Sequence, residues 1–264
     1  LKAKPDDPKL MIEMSRVELA AGKEREALKL AEDAYRKAPK NRAALFHLFD
    51  VRMAVGKLDG ALELILVAQG DYQGDFEVLS RHGALLTRMG KIEQLRPLLK
   101  KMADAATQQS DNLLRTAQLQ IDFGFLGDAD YTISKIFQND PRHERAGLMA
   151  VQVALEERDA PKALQRSAEV LANWPESPAT HMMRGEALLF AGDARAALAS
   201  FDEVLEREAA SPAVVRGYHA LLAADDTAAA RERLVRWLAE HPEDLEVKDT
   251  LAEDHLRTGE FAAA

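Results

Sequence analysis

The side chains that could carry out chemistry are sparse and scattered in this sequence. Cysteine is absent, and the seven histidines are His47, His82, His143, His181, His219, His241 and His255. None of them pairs with another histidine or with a carboxylate at the spacing of a helical metal motif. Adjacent carboxylates such as Asp225 and Asp226 lie in predicted turns, where solvated charge is the ordinary explanation. With no nucleophile motif and no phosphate-binding glycine loop, the sequence predicts no enzyme, no cofactor and no metal site.

A column of mostly apolar side chains is better suited to binding another protein. Its members recur about every 34 residues, with Ser80 as the polar exception: Ile12, Phe46, Leu114, Leu148, Met182 and Val215. Met149 and Met183 follow two of these residues, and methionine suits surfaces that adapt to a partner. Arg81 and Arg115 add positive charge. We expect these residues to line a groove in which Leu148, Met149, Met182 and Met183 form an exposed patch; the alternative is that they complete the core.

The elements that position this column are repeated. Gly22, Gly56, Gly90 and Gly124 are each 34 residues apart, and Gly192 follows if Arg158 occupies a silent position. Five residues after these turns lie small side chains, with Leu95 as the exception: Ala27, Ala61, Ala129, Ala163 and Ala197. A proline closes several units at the same period: Pro39, Pro141 and Pro175, with Pro5 upstream. Three residue classes therefore share one period.

Residues that favour helix N-termini form a fourth series. They are Asp7, Asn41, Asp75, Ser177 and Ser211, with Ser110 one residue out of phase and His143 a poor fit. Pro178 and Pro212 follow two of the serines, as expected at the start of a helix. Each unit is therefore predicted to be a cap, a helix, a turn at the glycine and a second helix. The small alanine allows the two helix axes to approach closely.

This pattern resembles the tetratricopeptide repeat family, whose units are 34-residue helix hairpins. The best match is the unit from Pro8 to Asn41, with "AAGKEREAL" across the turn and "YRKAP" at its end. No unit has the family's early tryptophan, so the copies are divergent. The resemblance implies an all-α fold, a right-handed superhelical solenoid of antiparallel hairpins. It also implies that the first helices of the units form a concave groove for a helical or extended protein segment.

One subclass of this family grips acidic peptide C-termini with Lys, Asn and Arg. Here the corresponding column lies four residues beyond the apolar one and contains Arg16, Asp50, Ala84, Gln118, Gln152, Glu186 and His219. It is therefore not such a clamp.

The domain prediction is a single solenoid over residues 1–264, cut from a longer array. It comprises the tail of a repeat at 1–7, seven repeats at 8–41, 42–75, 76–109, 110–143, 144–177, 178–210 and 211–244, and a partial repeat at 245–264. The repeat from 76 is irregular, because Leu95 replaces the alanine and Pro97 falls in the expected second helix. Gly70 and Gly74 stand just upstream. These features indicate either a hinge or neutral variation in one repeat.

Composition limits the partners. The chain has 35 Lys and Arg against 44 Asp and Glu, for a net charge of −9, which disfavours nucleic acid. No apolar run reaches the length of a membrane span. Absence of cysteine is compatible with the cytosol and with the periplasm.

The functional prediction is a non-enzymatic scaffold that binds a protein or peptide partner. Long, alanine-rich, divergent arrays also resemble bacterial repeat proteins of exopolysaccharide export and of the exosortase (PEP-CTERM) systems. That resemblance implies a role in envelope assembly and a periplasmic or outer-membrane-anchored location. The alternative is a regulatory array that controls an enzyme or transcription-factor domain outside this sequence.

Overall fold

The computed structural model describes residues 7–106 and 108–259, and all regular structure within them is α-helical. The predicted all-α class is therefore confirmed. The helices are α1 (Pro8–Ala20), α2 (Glu24–Lys37), α3 (Arg42–Ala54), α4 (Leu58–Asp71), α5 (Phe76–Arg88), α6 (Ile92–Ala105), α7 (Ser110–Asp122), α8 (Leu126–Asn139), α9 (Glu144–Glu156), α10 (Ala160–Asn173), α11 (Pro178–Phe190), α12 (Ala194–Leu205), α13 (Ser211–Ala223), α14 (Thr227–Glu240) and α15 (Leu245–Thr258).

These helices belong to two compact units, Leu1–Phe125 and Leu126–Ala264. The division falls inside the predicted repeat 110–143, and the single array over 1–264 stays a prediction. Residues 1–6 of the predicted tail and 260–264 of the partial repeat lie outside the described residues. In the first unit the core contains Leu48, Ile65 and Leu85. In the second it is formed by separate clusters around residues such as Val151 and Phe201.

The turns between helices occur at the predicted residues. Gly22, Gly56, Gly90, Gly124 and Gly192 all have positive φ. Arg158 and Asp225 occupy the equivalent turns with φ of 59° and 61°. A left-handed conformation is unfavourable for a residue with a Cβ atom, and glycine avoids that cost. The glycine period therefore reflects a backbone requirement, which two turns meet without glycine.

The helix caps agree only in part with the prediction. Asp7, Asn41 and Asp75 each accept a backbone N–H of the first turn that follows. Ser177 is the N-cap residue of α11, as predicted, but its side chain makes no cap bond.

Ser211 is wrongly predicted as a cap, because α13 begins at Ser211 itself. Its Oγ donates instead to Asp244 Oδ2 at 2.5 Å, away from its own helix. His143, expected to be a poor cap, accepts the Ala146 N–H through Nδ1 at 3.3 Å. The even-numbered helices α10, α12 and α14 have Asp159, Asp193 and Asp226 as caps, which the sequence analysis missed.

Close helix packing occurs where the alanines predict it. All members of the alanine series are fully buried: Ala27, Ala61, Ala129, Ala163 and Ala197. Leu95 is also fully buried, although it is larger. It faces Gly83 on α5, where an added Cβ would lie 3.8 Å from Leu95 Cδ1, an ordinary contact distance. The larger side chain is therefore accommodated without a close approach between the two helices.

The irregular repeat keeps continuous helices. α6 runs from Ile92 to Ala105 with Pro97 inside it, so the expected interruption is not observed. The Pro97 ring is exposed, and the lost backbone bond would have reached the carbonyl of Glu93. Gly74 lies in a turn with φ of 71°. This repeat is therefore distinguished by its packing and by one missing hydrogen bond.

Candidate partner-binding faces

Each odd-numbered helix carries three residues at positions i, i+4 and i+7, a spacing that places them on one side of an α-helix. We call such a triplet a stripe; from α1 to α13 its first residue belongs to the predicted column, and on α15 it is Asp249. The stripes of α1, α3, α5 and α7 form the first-unit face: Ile12, Arg16 and Leu19; Phe46, Asp50 and Met53; Ser80, Ala84 and Thr87; Leu114, Gln118 and Ile121. Those of α9, α11, α13 and α15 form the second-unit face: Leu148, Gln152 and Leu155; Met182, Glu186 and Leu189; Val215, His219 and Leu222; Asp249, Glu253 and Leu256.

Three of the predicted groove residues are buried. Ile12 is 5% exposed, Leu114 3% and Met149 5%. The predicted exposed patch of Leu148, Met149, Met182 and Met183 is therefore wrong. Met149 follows Leu148 by one position, which turns it about 100° around α9 and into the interior. Glutamate at Met149 would consequently disrupt folding rather than test binding.

The remaining apolar members of the column are partly buried. Phe46 packs against the core of the first unit, and Leu148 and Met183 pack against the cluster around Val151. Met182 packs against the cluster around Phe201, and Val215 against the one around Val214. These side chains thus have one edge in the core and one edge accessible.

The predicted arginines on the first-unit face are held in place. Arg81 Nε lies 3.3 Å from Asp50 Oδ1, and its Nη1 donates to Glu77. Its guanidinium carbon is 4.0 Å from the centre of the Phe46 ring. The positive charge of Arg81 is therefore largely balanced by two carboxylates.

Arg115 is more accessible. Its Nη2 donates to Ser80 Oγ at 3.2 Å, and its guanidinium lies 5.6 Å from the Phe76 ring centre. Of the two arginines beside the first-unit face, Arg81 is thus paired with carboxylates, whereas Arg115 contacts a hydroxyl and an aromatic ring.

The second-unit face has a polar row between two apolar rows. The row consists of the middle residues of the stripes: Gln152, Glu186, His219 and Glu253. Gln152 and Glu186 are half-buried, whereas His219 and Glu253 are exposed. α9, α11, α13 and α15 each contact the next of these helices, so the row crosses adjacent helices. From the sequence, this column indicated only that a clamp for acidic termini is absent. Its 34-residue spacing is the signal that extends it to Glu253.

Charges along this row influence one another. Arg216 Nε lies 2.6 Å from Glu186 Oε1. Burial nevertheless raises the pKa of the Glu186 carboxyl, although Arg216 opposes the rise. The pKa of His219 is lowered by burial and by Arg216, while Glu253 acts in the other direction. Glu186 is therefore a carboxylate that would gain from a further cationic neighbour.

A buried ionic network fixes the helix beneath the end of this row. Asp254, 2% exposed, accepts the Tyr218 hydroxyl at 2.8 Å, Arg231 Nε at 2.6 Å and Arg257 Nη2 at 2.6 Å. Burial raises the pKa of Asp254, but these donors outweigh it and lower the pKa overall. The network ties α15 to α13 and α14, so Glu253 stands on a well-anchored helix.

Among residues 7–106 and 108–259, no group of three His, Asp or Glu side chains is placed to hold a metal ion. Over the same ranges, no helix has both the length and the apolar character that crossing a bilayer requires. A cavity of about 380 Å³ lies between α12, α13 and α14, lined by residues that include Leu205, Arg233 and Trp237. Arg233 is engaged there with Asp202 at 2.7 Å.

Comparisons with known proteins agree with this architecture. A tetratricopeptide repeat family model matches residues 18–81. A tetratricopeptide repeat protein from Parabacteroides merdae is similar in structure over 94% of this chain and 98% of its own, with a TM-score of 0.58 and 18% identity. No curated protein sequence matches the chain significantly.

Two assemblies contain larger chains of similar fold. The Naa15/Naa10 complex bound to HypK-THB matches 96% of this chain and 40% of its own, with a TM-score of 0.54 and 19% identity. The APC/C hetero-tetramer Cut9-Hcn1 matches 98% of this chain and 51% of its own, with a TM-score of 0.51 and 14% identity. At such identities the likeness shows the fold. The tetratricopeptide fold is a protein–protein interaction scaffold, and proteins built on it are generally non-catalytic. Residues 18–81 are thus tetratricopeptide repeats, and the chain has the tetratricopeptide-repeat fold.

Proposed function

We propose that the chain is a non-enzymatic scaffold that binds a helical or extended segment of a partner protein across the stripes of its odd-numbered helices. The observation that carries this proposal is the second-unit face, where a polar row lies between two apolar rows on successive helices. Partly buried apolar side chains supply contact area, and the polar row supplies direction and specificity.

Peptide display on the purified chain tests this function. Two variants reverse charge on the stripes without touching the core: Asp50→Arg on the first-unit face and Glu253→Arg on the second. Glu63→Arg is the control, because Glu63 is exposed on α4. We expect the selected peptides to lose about tenfold or more in affinity for one of the face variants and to keep their affinity for the control. Equal binding to all three variants would place the binding site elsewhere.

The predicted role in envelope assembly would use these same faces. It implies that the full-length protein fractionates with the cell envelope and co-purifies there with its partner. Recovery of the full-length protein in the cytosol, fused to a catalytic or DNA-binding domain, would favour the regulatory alternative.

A further inference from the structure

We propose that the second-unit face binds an extended, basic segment of a partner protein, with one Lys or Arg at Glu186 and a second six residues along at Glu253. This inference rests on the proposed function and specifies the chemistry of its partner.

The acidic residues of the second-unit face favour a positively charged ligand. The second-unit stripes contain Glu186, Asp249 and Glu253 and no lysine or arginine. Glu246 precedes Asp249 by three residues and so lies on the same side of α15. Arg145 precedes Leu148 in the same way and places a cation at the α9 end, so the acidic part of the face runs from α11 to α15. Within residues 126–259, Glu246, Asp249 and Glu253 form no ion pair. The first-unit stripes, by contrast, contain one arginine and one aspartate.

Apolar rows on both sides of the polar row favour a segment that lies along it. One row consists of Leu148, Met182 and Val215, and the other of Leu155, Leu189 and Leu222; all six are partly buried. Leu256 continues the second row on α15 and is 52% exposed. A bound chain would cover these edges while its cationic side chains reach the carboxylates between them.

The distance between Glu186 and Glu253 determines how many residues separate the two basic side chains of the ligand. Glu186 is on α11 and Glu253 is on α15, with α13 between them. Neighbouring packed helices lie about 8–10 Å apart, so the two carboxylates are separated by roughly 16–20 Å. An extended chain advances about 3.3 Å per residue, and its side chains return to the same face every second residue. Six residues span about 20 Å and bring both basic side chains to the same side.

Arg216 is the internal competitor of the ligand. Its pair with Glu186 is accessible from the arginine side, because the Arg216 side chain is 49% exposed and the Glu186 side chain 26%. Exposed pairs of this kind contribute little net stability. A ligand cation that also gains apolar contact can therefore displace Arg216.

The test uses labelled nine-residue peptides of one apolar sequence and measures binding by fluorescence anisotropy. The first peptide has Lys at positions i and i+6, the second has Lys at i and i+3, and two more have Glu or Gln at i and i+6. We expect the first peptide to bind most tightly and its affinity to fall as salt concentration rises.

Variants of the protein test the two carboxylates. Glu186→Gln and Glu253→Gln should each lower the affinity for the first peptide about 3- to 10-fold. Arg216→Ala should strengthen it, and Glu243→Gln, an exposed turn residue, should leave it unchanged.

Three results would overturn the inference. The first is equal binding of the two Lys spacings; the second is equal or tighter binding of the Glu or Gln peptide; the third is weaker binding to Arg216→Ala. In each case a peptide still binds the chain, so the proposed function is not contradicted. If no peptide binds while circular dichroism shows normal helix content, the result would contradict both this inference and the proposed function.

Discussion

At the scale of single residues, glycines inside the odd-numbered helices determine which side chains the facing helices can carry. An added Cβ at Gly185 would lie 2.7 Å from Phe201 Cζ, and Phe201 is fully buried. At Gly83 the nearest atom, Met102 Sδ, would be 3.7 Å away, which is ordinary contact. The same substitution, glycine to alanine, therefore meets different surroundings at these two positions.

We expect Gly185→Ala to lower the free energy of unfolding by about 1–3 kcal/mol through overpacking. Gly83→Ala is the matched control and should be neutral or stabilising, because alanine favours a helix over glycine. Urea unfolding followed by circular dichroism measures both. Equal effects of the two changes would mean that Phe201 does not fill the space at Gly185.

Buried histidines couple the stability of the first unit to pH. His47 is 7% exposed with no hydrogen-bond partner for Nε2 among the described residues, and both ring nitrogens of the half-buried His82 also lack one there. Burial, assisted by nearby cations, lowers the pKa of both imidazoles. The unfolded chain therefore binds more protons between the folded-state pKa values and about 6.5.

Stability should consequently be complete above about pH 6.5 and decrease as the pH falls towards the folded-state pKa values. Replacing both residues, His47→Leu with His82→Leu, should flatten this dependence, because neither side chain then titrates. Chemical denaturation at pH 7.5, 6.5 and 5.5 tests this. The double variant should retain more of its stability at the lowest pH, and a slope like that of the unmodified protein would refute the assignment.

At the scale of elements, α6 is helical despite its proline. Pro97 is the sixth residue of the helix, beyond the first turn, so it removes a backbone bond that an ordinary residue would make. Pro161 lies in the first turn of α10, where no such bond exists. Pro97 should therefore destabilise its helix, whereas Pro161 should not.

We expect Pro97→Ala to raise the free energy of unfolding by about 1–2 kcal/mol, part of the helix gain being offset by the greater freedom of the unfolded chain. Pro161→Ala should have little effect or be slightly destabilising. Thermal unfolding of the two variants measures the difference. Loss of stability in Pro97→Ala would show that the proline ring itself packs usefully.

At the scale of the whole molecule, contacts inside each unit run mainly between helices that are neighbours in sequence or one apart. Stability in such arrays is close to a sum of local terms. We therefore expect Gly185→Ala to reduce hydrogen-exchange protection in α11–α13 strongly and in α3–α5 weakly. Mass-spectrometric exchange measures this, and a uniform loss across both units would indicate one cooperative block.

The sequence predicted features that depend on one residue and its own backbone. Turn glycines are visible because positive φ excludes most other residues, and packing alanines are visible because size alone matters there. Features that depend on a single-residue shift were missed. Ser211 was predicted to cap a helix that it instead begins, and Met149 was predicted on a stripe from which it is turned by one position.

Packing between helices could not be predicted from the repeat pattern either. Leu95 breaks the alanine series, yet it is fully buried and faces Gly83 on the neighbouring helix. The polar row was visible as a column, but its accessibility depends on how the apolar neighbours on each stripe pack.

The pairing of Gly185 with Phe201 also limits which segments of the repeat array can be duplicated, deleted or grafted. A segment that carried the Phe201 helix without the Gly185 helix would meet a Cβ where the ring must lie, whereas a segment carrying both brings its own fit. Duplication, deletion or grafting should therefore succeed when the cut points fall between hairpins and fail when they fall at the turn inside one. Each hairpin is in this sense the smallest unit of inheritance that the array can exchange.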